Sequence, residues 1–332
     1  MGMTTFDTRP ILSREFPRIS LSLFPSECVF NLTSPVAKFA RGHYHNLMDK
    51  QKTLVFFGAH PDDEAFGIGG TLAQYAAAGV KVYYACATRG EAGEAAPEFL
   101  KGYANMGDMR WAELERSAKV LGLAGVIHLG YRDSGMTGSK DNKHPEALIT
   151  APPERVIGSV VKVLRDIKPE VVITFDPIGG YRHPDHIAVH NATVKGFYAA
   201  GDAKQYPEAG PAYQPQKLYF SIFSRKFMKA AVKLMPLFGQ DPHHLGVNKD
   251  IDIASLVEVE FPIHAAIRLT KQAAEARDKA SACYASQLGG RPRGSFLFNL
   301  VGKLSRPRDL YTRAYPQTEG RRREVDLFEG VR

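Results

Sequence analysis

The 332-residue chain is 44% hydrophobic and 23% charged, the composition of an ordinary globular protein with one large domain or two small ones. Its 43 Lys and Arg outnumber 35 Asp and Glu for a net charge of +8, but much of the excess lies in tails such as GRRREVDLFEGVR, expected to be solvated, so nucleic-acid binding is not inferred. Cys28, Cys86 and Cys283 are far apart and in no CxxC pattern, which excludes a disulfide framework and a thiolate zinc site and fits a reducing cytoplasm, while no apolar run nears the roughly 20 residues of a membrane span.

Residues 1–47 carry scattered apolar residues with no helical or strand period and lack the h-region of a secretory signal. Three readings stand for this extension: an organelle-targeting leader, a docked N-terminal arm, or sequence upstream of a natural start at Met48. From Thr53 the pattern becomes α/β. TLVFFGA reads as a strand, GGTLAQYAAAG as a helix ending at Gly79, and VKVYYACAT as a second strand. MRWAELERSAKVLG has a helical stripe of Met109, Leu114, Ala118 and Leu121. GVIHLG is a third strand, ERVIGSVVKVLRDIKP a helix stopped by Pro169, and EVVITF a fourth strand. Farther on, QKLYFSIF and LVEVEFPI read as strands, and SRKFMKAAVKLMPLFG and TKQAAEARDKASACYASQL as helices.

The first four strands are apolar runs with little polar alternation, as expected of parallel strands covered on both faces. In such sheets ligands bind at the carboxyl ends of the strands. The chemically rich stretches fall there: HPDDE after the first strand, TRGEAGE after the second, YRDSGM after the third and DPIGGYRHPDH after the fourth.

Taken alone, Asp62, Asp63 and Glu64 would suit the first turn of a helix, where carboxylates meet free N–H groups. The second His-Pro-Asp, at residues 183–185, changes that reading, because each proline holds its histidine out of the α region at a strand end. Imidazoles and carboxylates without thiolates suit a catalytic zinc with three protein ligands and a place for water. His60, Asp63 and His186 are the natural set. Bound zinc would lower the pKa of its water to about 7. Asp62 is then free to act as general base, His183 to donate to a developing oxyanion, and Asp185 to orient His183 through its other ring nitrogen. Glu64 remains a first-turn carboxylate or a support to the ligands. His190, four residues after His186, offers a helical HxxxH alternative but lacks the HExxH glutamate. His243 and His244 have no partnering carboxylates at an informative spacing and are expected at the surface.

In order, AHPDDE, GGTLA, TRGE, SAKVLG, YRDSGM and TFDPIGGYRHPDH resemble the PIG-L/LmbE-like zinc-dependent N-acetylglucosaminyl deacetylases. They are most similar to the bacterial branch with thiol-sugar deacetylases and mycothiol-conjugate amidases. The resemblance covers about residues 52–196. It implies a Rossmann-like three-layer sandwich with a mostly parallel sheet: a catalytic core at 48–200, and a smaller C-terminal α+β extension at 201–332 that completes the sheet and substrate pocket. It implies zinc, or iron or another divalent metal, on His60, Asp63 and His186, with Asp62 as base and His183 stabilising the intermediate. It also places Arg110, Asp133 and Tyr181 at substrate-contact positions.

Two positions depart from the family pattern. Arg182 stands where glycine is frequent, and Tyr284 where histidine is frequent. The expectation is therefore a cytoplasmic metal-dependent hydrolase that removes the acetyl group from an amino-sugar substrate, with no transmembrane segment and with oligomer formation left open. An amidase of a thiol-sugar conjugate is the alternative on this fold. A noncatalytic metal- or nucleotide-binding protein is the alternative of another class, although GIGGTLA follows the acidic motif and does not join strand to helix as GxGxxG does.

Overall fold

The structure is a computed structural model and describes residues 19–23, 51–223, 229, 232–243, 254, 259–288, 308–318 and 322–332. In chain order its main elements are β1 (Ser20–Leu23), β2 (Thr53–Gly58), α1 (Asp63–Phe66), α2 (Gly69–Ala77), β3 (Lys81–Cys86), α3 (Met106–Leu121) and β4 (Gly125–His128). They continue with α4 (Pro153–Ile167), β5 (Val171–Phe175), α5 (Pro184–Ala200), β6 (Lys217–Ile222), β7 (Ala265–Arg268), α6 (Lys271–Ala282) and β8 (Arg308–Tyr315).

All eight strands form one mixed sheet in the order β1-β4-β3-β2-β5-β6-β8-β7. The five strands from β4 to β6 pair in parallel. β1 closes one edge antiparallel on β4, and β8 and β7 extend the other edge antiparallel from β6. Every residue of β2 and β5 is buried, so these strands are apolar runs, broken only by Thr53 and Thr174, instead of alternating. Helices α2 and α3 pack on α6, and α4 packs on α5.

The chain leaves β2 toward β3 and β4, then returns to the other side of β2 as β5. This reversal opens a crevice between the carboxyl ends of β2 and β5, where ligands bind in open α/β sheets. The two His-Pro-Asp segments follow those two strands. Helix α5, which carries His186, is fixed at its far end by Arg165, whose guanidinium donates to the carbonyls of Ala199, Ala200, Asp202, Gln205, Tyr206 and Gly210. Carbonyls left free by the end of the helix are thereby satisfied.

Several expectations are corrected or fall outside the described residues. The C-terminal stretch is anchored, not solvated: Arg322 and Arg323 are exposed, but Glu324, Leu327 and Phe328 are buried. Asp326 accepts from Tyr75 Oη at 2.7 Å, and Tyr75 Oη accepts from Leu327 N at 2.6 Å. The strand expected over 256–263 is not formed in its described part, because residues 259–264 have no regular structure and β7 begins at Ala265. Pro262 removes a ladder donor there. Much of the helix expected over 224–239, most of residues 1–47 and His244 lie outside the described residues, while His243 is exposed.

Candidate metal and catalytic site

After β2 the chain passes through His60 and Pro61 into α1, and after β5 a short turn at Gly179–Arg182 leads through His183 into α5. The Asp63 carboxylate is set by the backbone. Its Oδ2 accepts from Ala59 N at 2.9 Å and His60 N at 2.8 Å, while Oδ1 lies 3.3 Å from His186 Nε2. His186 Nε2 is also 3.3 Å from His60 Nδ1, and the His186 ring stacks on Phe175 with centroids 3.9 Å apart. His60 Nδ1 is 3.8 Å from Asp63 Oδ2.

Those separations test the metal reading. Donors about 2.0–2.1 Å from a tetrahedral ion are about 3.3–3.4 Å from one another. The two 3.3 Å separations from His186 Nε2 match that spacing, whereas the 3.8 Å from His60 Nδ1 is longer and reaches the other Asp63 oxygen; two imidazole nitrogens and a carboxylate, with no thiolate, are the donor chemistry of a divalent metal of the zinc or iron type. The other nitrogen of His60 faces away from the donor set, with Nε2 3.1 Å from Asp185 Oδ2 and 3.4 Å from Asp133 Oδ1. Carboxylates on the far nitrogen orient a metal-binding histidine and raise its basicity.

Among the described residues, two groups bring one donor atom from each member within 4.8 Å of one another: His60 with His183 and His186, and His60 with Asp133 and Asp185. The residues they add have backbone partners, as Asp63 Oδ2 does. His183 Nδ1 accepts from Asp185 N at 3.2 Å, Asp185 Oδ2 accepts from Ser134 N at 2.9 Å, and Asp133 Oδ1 accepts from Gly135 N at 2.8 Å. His190 stands apart, its Nδ1 2.8 Å from the Phe175 carbonyl and its ring edge-on to Phe220. The HxxxH pair is not used as a ligand pair.

The Asp185 side chain meets His60 and not the ring of His183, contrary to the expected orienting contact. His183 is oriented instead by the Asp185 backbone amide, as the N-cap of α5. Because Nδ1 accepts there, a neutral His183 carries its proton on Nε2. Burial, with His60 and His186 beside it, holds the His183 pKa far down and keeps the ring neutral. His183 is therefore a neutral N–H donor, 4.5 Å from His60 between ring centroids. Tyr181 lies edge-on to His186 at 4.9 Å and to His183 at 5.8 Å, which places it at the same crevice.

Arg110 is buried, and Nη2 donates to Pro61 O at 2.6 Å and to Asp62 Oδ2 at 2.9 Å. Burial pushes the Asp62 carboxyl up to about 7 against the opposing pull of Arg110. The charged groups of Arg110 and Asp133, both expected to contact substrate, are thus engaged with Asp62 and His60. Sequence reasoning missed what makes room for Arg110. Gly90 has φ +74, and a Cβ there would lie 2.3 Å from Arg110 Nη1. Glu91 was also missed: its Oε2 accepts from Asp133 N at 3.0 Å and ties the loop after β3 to the loop after β4. The signal was the TRGE stretch, in which the glycine permits the approach and the glutamate makes the tie.

Residues 55–197 match the family described as PIG-L, GlcNAc-PI de-N-acetylase. A 1D-myo-inositol 2-acetamido-2-deoxy-alpha-D-glucopyranoside deacetylase of Rhodococcus erythropolis is 36% identical over 231 residues, 65% of this chain and 78% of the relative. The chain belongs to the PIG-L family. Its sheet resembles that of an N,N'-diacetylchitobiose deacetylase from Pyrococcus horikoshii, with TM-score 0.53 and 18% identity over 86% of this chain and 94% of that one. It also resembles GalB, the 4-carboxy-2-hydroxymuconate hydratase from Pseudomonas putida KT2440, with TM-score 0.52 and 17% identity over 82% and 99%. The PIG-L fold is thus shared with a hydratase, and the reaction must be argued from the site.

Arg182 has φ +66, a left-handed conformation that glycine adopts without strain. Arg182 is exposed beside the crevice. No helix among the described residues is long and apolar enough to cross a membrane.

Proposed function

We propose that this PIG-L chain hydrolyses the acetamide of an N-acetylglucosaminyl substrate, releasing acetate and a free amine, with zinc as its metal. The observation that carries the reading is the convergence of His60 Nδ1, His186 Nε2 and the Asp63 carboxylate beside a separate carboxylate, Asp62, and a neutral donor, His183. Bound zinc would supply Lewis acidity and lower the pKa of its water to about 7. Asp62, held by Arg110 and not committed to the donor set, takes a proton from the attacking water. His183 Nε2–H donates to the oxygen that gains charge at the acetyl carbon. Protonated Asp62 then returns its proton to the nitrogen as the C–N bond breaks, so the amine leaves neutral with acetic acid, which becomes acetate by giving its proton to solvent.

Substrate contact falls to Tyr181, whereas Arg110 and Asp133 act by holding Asp62 and His60. The amino-sugar class is supported by the Rhodococcus relative, named for a glucosaminyl-inositol, and by the family description. The Rossmann-like three-layer reading is supported by five successive parallel strands with α2, α3 and α6 forming one helical group and α4 and α5 another. A cytoplasmic location is supported by the free thiols of Cys86 and Cys283.

Acetate release across a panel of N-acetylglucosaminyl compounds, with metal-stripped and zinc-restored protein, tests the proposal. Zinc-dependent acetate from at least one member is expected. Hydrolysis of a thiol-sugar conjugate with no acetate from any member would establish the amidase alternative instead.

A further inference from the structure

Glu64 follows Asp63 in α1 and is bonded to α3 and to the segment just beyond α6, and it has no part in the chemistry above. Its side chain is fully buried. Oε2 accepts from the backbone N–H of Asp62 at 3.1 Å, while Oε1 accepts from Ser117 Oγ of α3 at 2.5 Å and from Tyr284 Oη just beyond α6 at 2.6 Å. Tyr284 is fully buried and edge-on to Phe66 at 5.7 Å. Its segment is tied down again two residues later, where Ser286 Oγ donates to Glu113 Oε2 at 2.6 Å and Ser286 N to Glu113 Oε1 at 3.1 Å.

What Glu64 holds is an unusual backbone. Asp62 has φ +116 and ψ −24, a region that L side chains avoid, and its own side chain makes no cap bond to α1. Such conformations persist only where the surroundings over-determine them. Here the amide of Asp62 is fixed by Glu64 from one side, and its carboxylate by Arg110 from the other. The carboxylate of Glu64 is in turn aimed by two hydroxyls that come from residues 53 and 220 positions away in sequence.

We propose that Glu64 and Tyr284 are positioning residues for Asp62: the hydroxyl of Tyr284 orients Glu64, Glu64 holds the Asp62 amide, and the C-terminal segment thereby sets the direction of the base. The proposal rests on the reading of Asp62 as general base. A purely structural role for the pair would lower stability without a selective effect on turnover. A positioning role acts on kcat, because only the approach of Asp62 to the reacting water and nitrogen changes, and it vanishes when the Asp62 carboxylate is gone.

The test uses the full-length zinc-loaded protein and the panel compound with the highest turnover. Tyr284→Phe keeps the ring and removes one hydroxyl; Glu64→Gln keeps the shape and removes one acceptor. Each is expected to lower kcat by about tenfold to a hundredfold, the range for a hydrogen bond to a charged group, with KM and zinc per chain unchanged. In an Asp62→Asn background, Tyr284→Phe is expected to have no further effect on the residual rate.

Undiminished kcat in Asp62→Asn would overturn the reading of Asp62 itself. A large loss in Asp62→Asn, together with full kcat in Tyr284→Phe, would overturn the positioning proposal and leave Asp62 as base. The same holds if Tyr284→Phe lowers the rate equally in both backgrounds, or changes KM or zinc content alone. Should Glu64→Gln fail to fold, Tyr284→Phe carries the test.

Discussion

Gly90→Ala should damage catalysis from outside the crevice, and its size can be worked from the packing. The new Cβ would lie 2.3 Å from Arg110 Nη1, 2.7 Å from Cζ and 2.8 Å from Nε. Ordinary contacts between such atoms are about 3.5–4.0 Å, so the guanidinium must retreat by about 1 Å. That lengthens its bonds to Asp62 Oδ2, now 2.9 Å, and Pro61 O, now 2.6 Å, beyond useful range. The left-handed backbone adds about 1–2 kcal/mol once the residue carries a Cβ. With about 1.5–3 kcal/mol for the loss of a charged hydrogen bond, the fold should lose about 3–5 kcal/mol in urea unfolding. Turnover, which depends on the Asp62 held by Arg110, should fall by about tenfold or more in steady-state acetate release, with zinc content unchanged. A loss of only about 1–2 kcal/mol with wild-type kcat would show that Arg110 is not needed where it sits. A rise in KM alone would return Arg110 to substrate binding.

Further outcomes follow from other parts of the chain. His60→Ala and Asp63→Ala should each lose the metal; full metal content in both, measured on purified protein, would refute the ligand set. Asp185→Ala should weaken metal affinity by about 10–100-fold in chelator competition without abolishing binding, because Asp185 touches the far nitrogen of His60. Glu324→Leu strands Lys217 and Arg313, now 2.7 and 2.6 Å from its carboxylate. The expected cost is about 3–5 kcal/mol, substantially recovered by adding Lys217→Met; a cost below about 1 kcal/mol would refute the anchored tail. Burial, helped by Arg89, lowers His128 from 6.5 to about 4. Between those values the unfolded chain binds the extra proton, so stability should fall as pH drops from about 6.5 to about 4, by up to about 3 kcal/mol from this group. Comparing wild type with His128→Gln by urea unfolding at both ends of that window isolates the effect; parallel profiles would refute it.

The central strands were legible because burial on both faces leaves only apolar residues, and TLVFFG and VVITF permit little else. β8 was not, since RDLYTRAY places arginines in a strand with mixed burial. Nor was β1, four residues of alternating Ser and Leu that become a strand only by pairing with β4. The tail misled because a run of arginines marks solvent, while the anchoring depends on Glu324 finding Lys217 and Arg313 across the sheet. At the site, the convergence of His60, Asp63 and His186 beside Asp62 could be read from two short motifs, because proline and strand ends fix their direction. The partners of Asp185, Arg110 and Glu64 could not, because each contact joins residues far apart in sequence and depends on which loop lies beside which.

Consecutive aspartates would ordinarily compete for one role, and the backbone explains why these do not. Asp63 is turned inward, with one oxygen fixed by the Ala59 and His60 amides and the other facing His186. The left-handed turn at Asp62 sends the preceding carboxylate toward Arg110 instead. Two adjacent anions would repel in a buried site unless each had its own counterpart. Asp62 has Arg110, whereas Asp63 has two backbone amides and the His186 ring. The strained turn at Asp62 is thus what sends the two adjacent carboxylates apart, and Glu64, the third consecutive acid, holds the amide at that position. The apolar strand delivers three carboxylates together, and within one turn the backbone sends each to a different partner: Asp62 to Arg110, Asp63 to the Ala59 and His60 amides, and Glu64 to Ser117 and Tyr284.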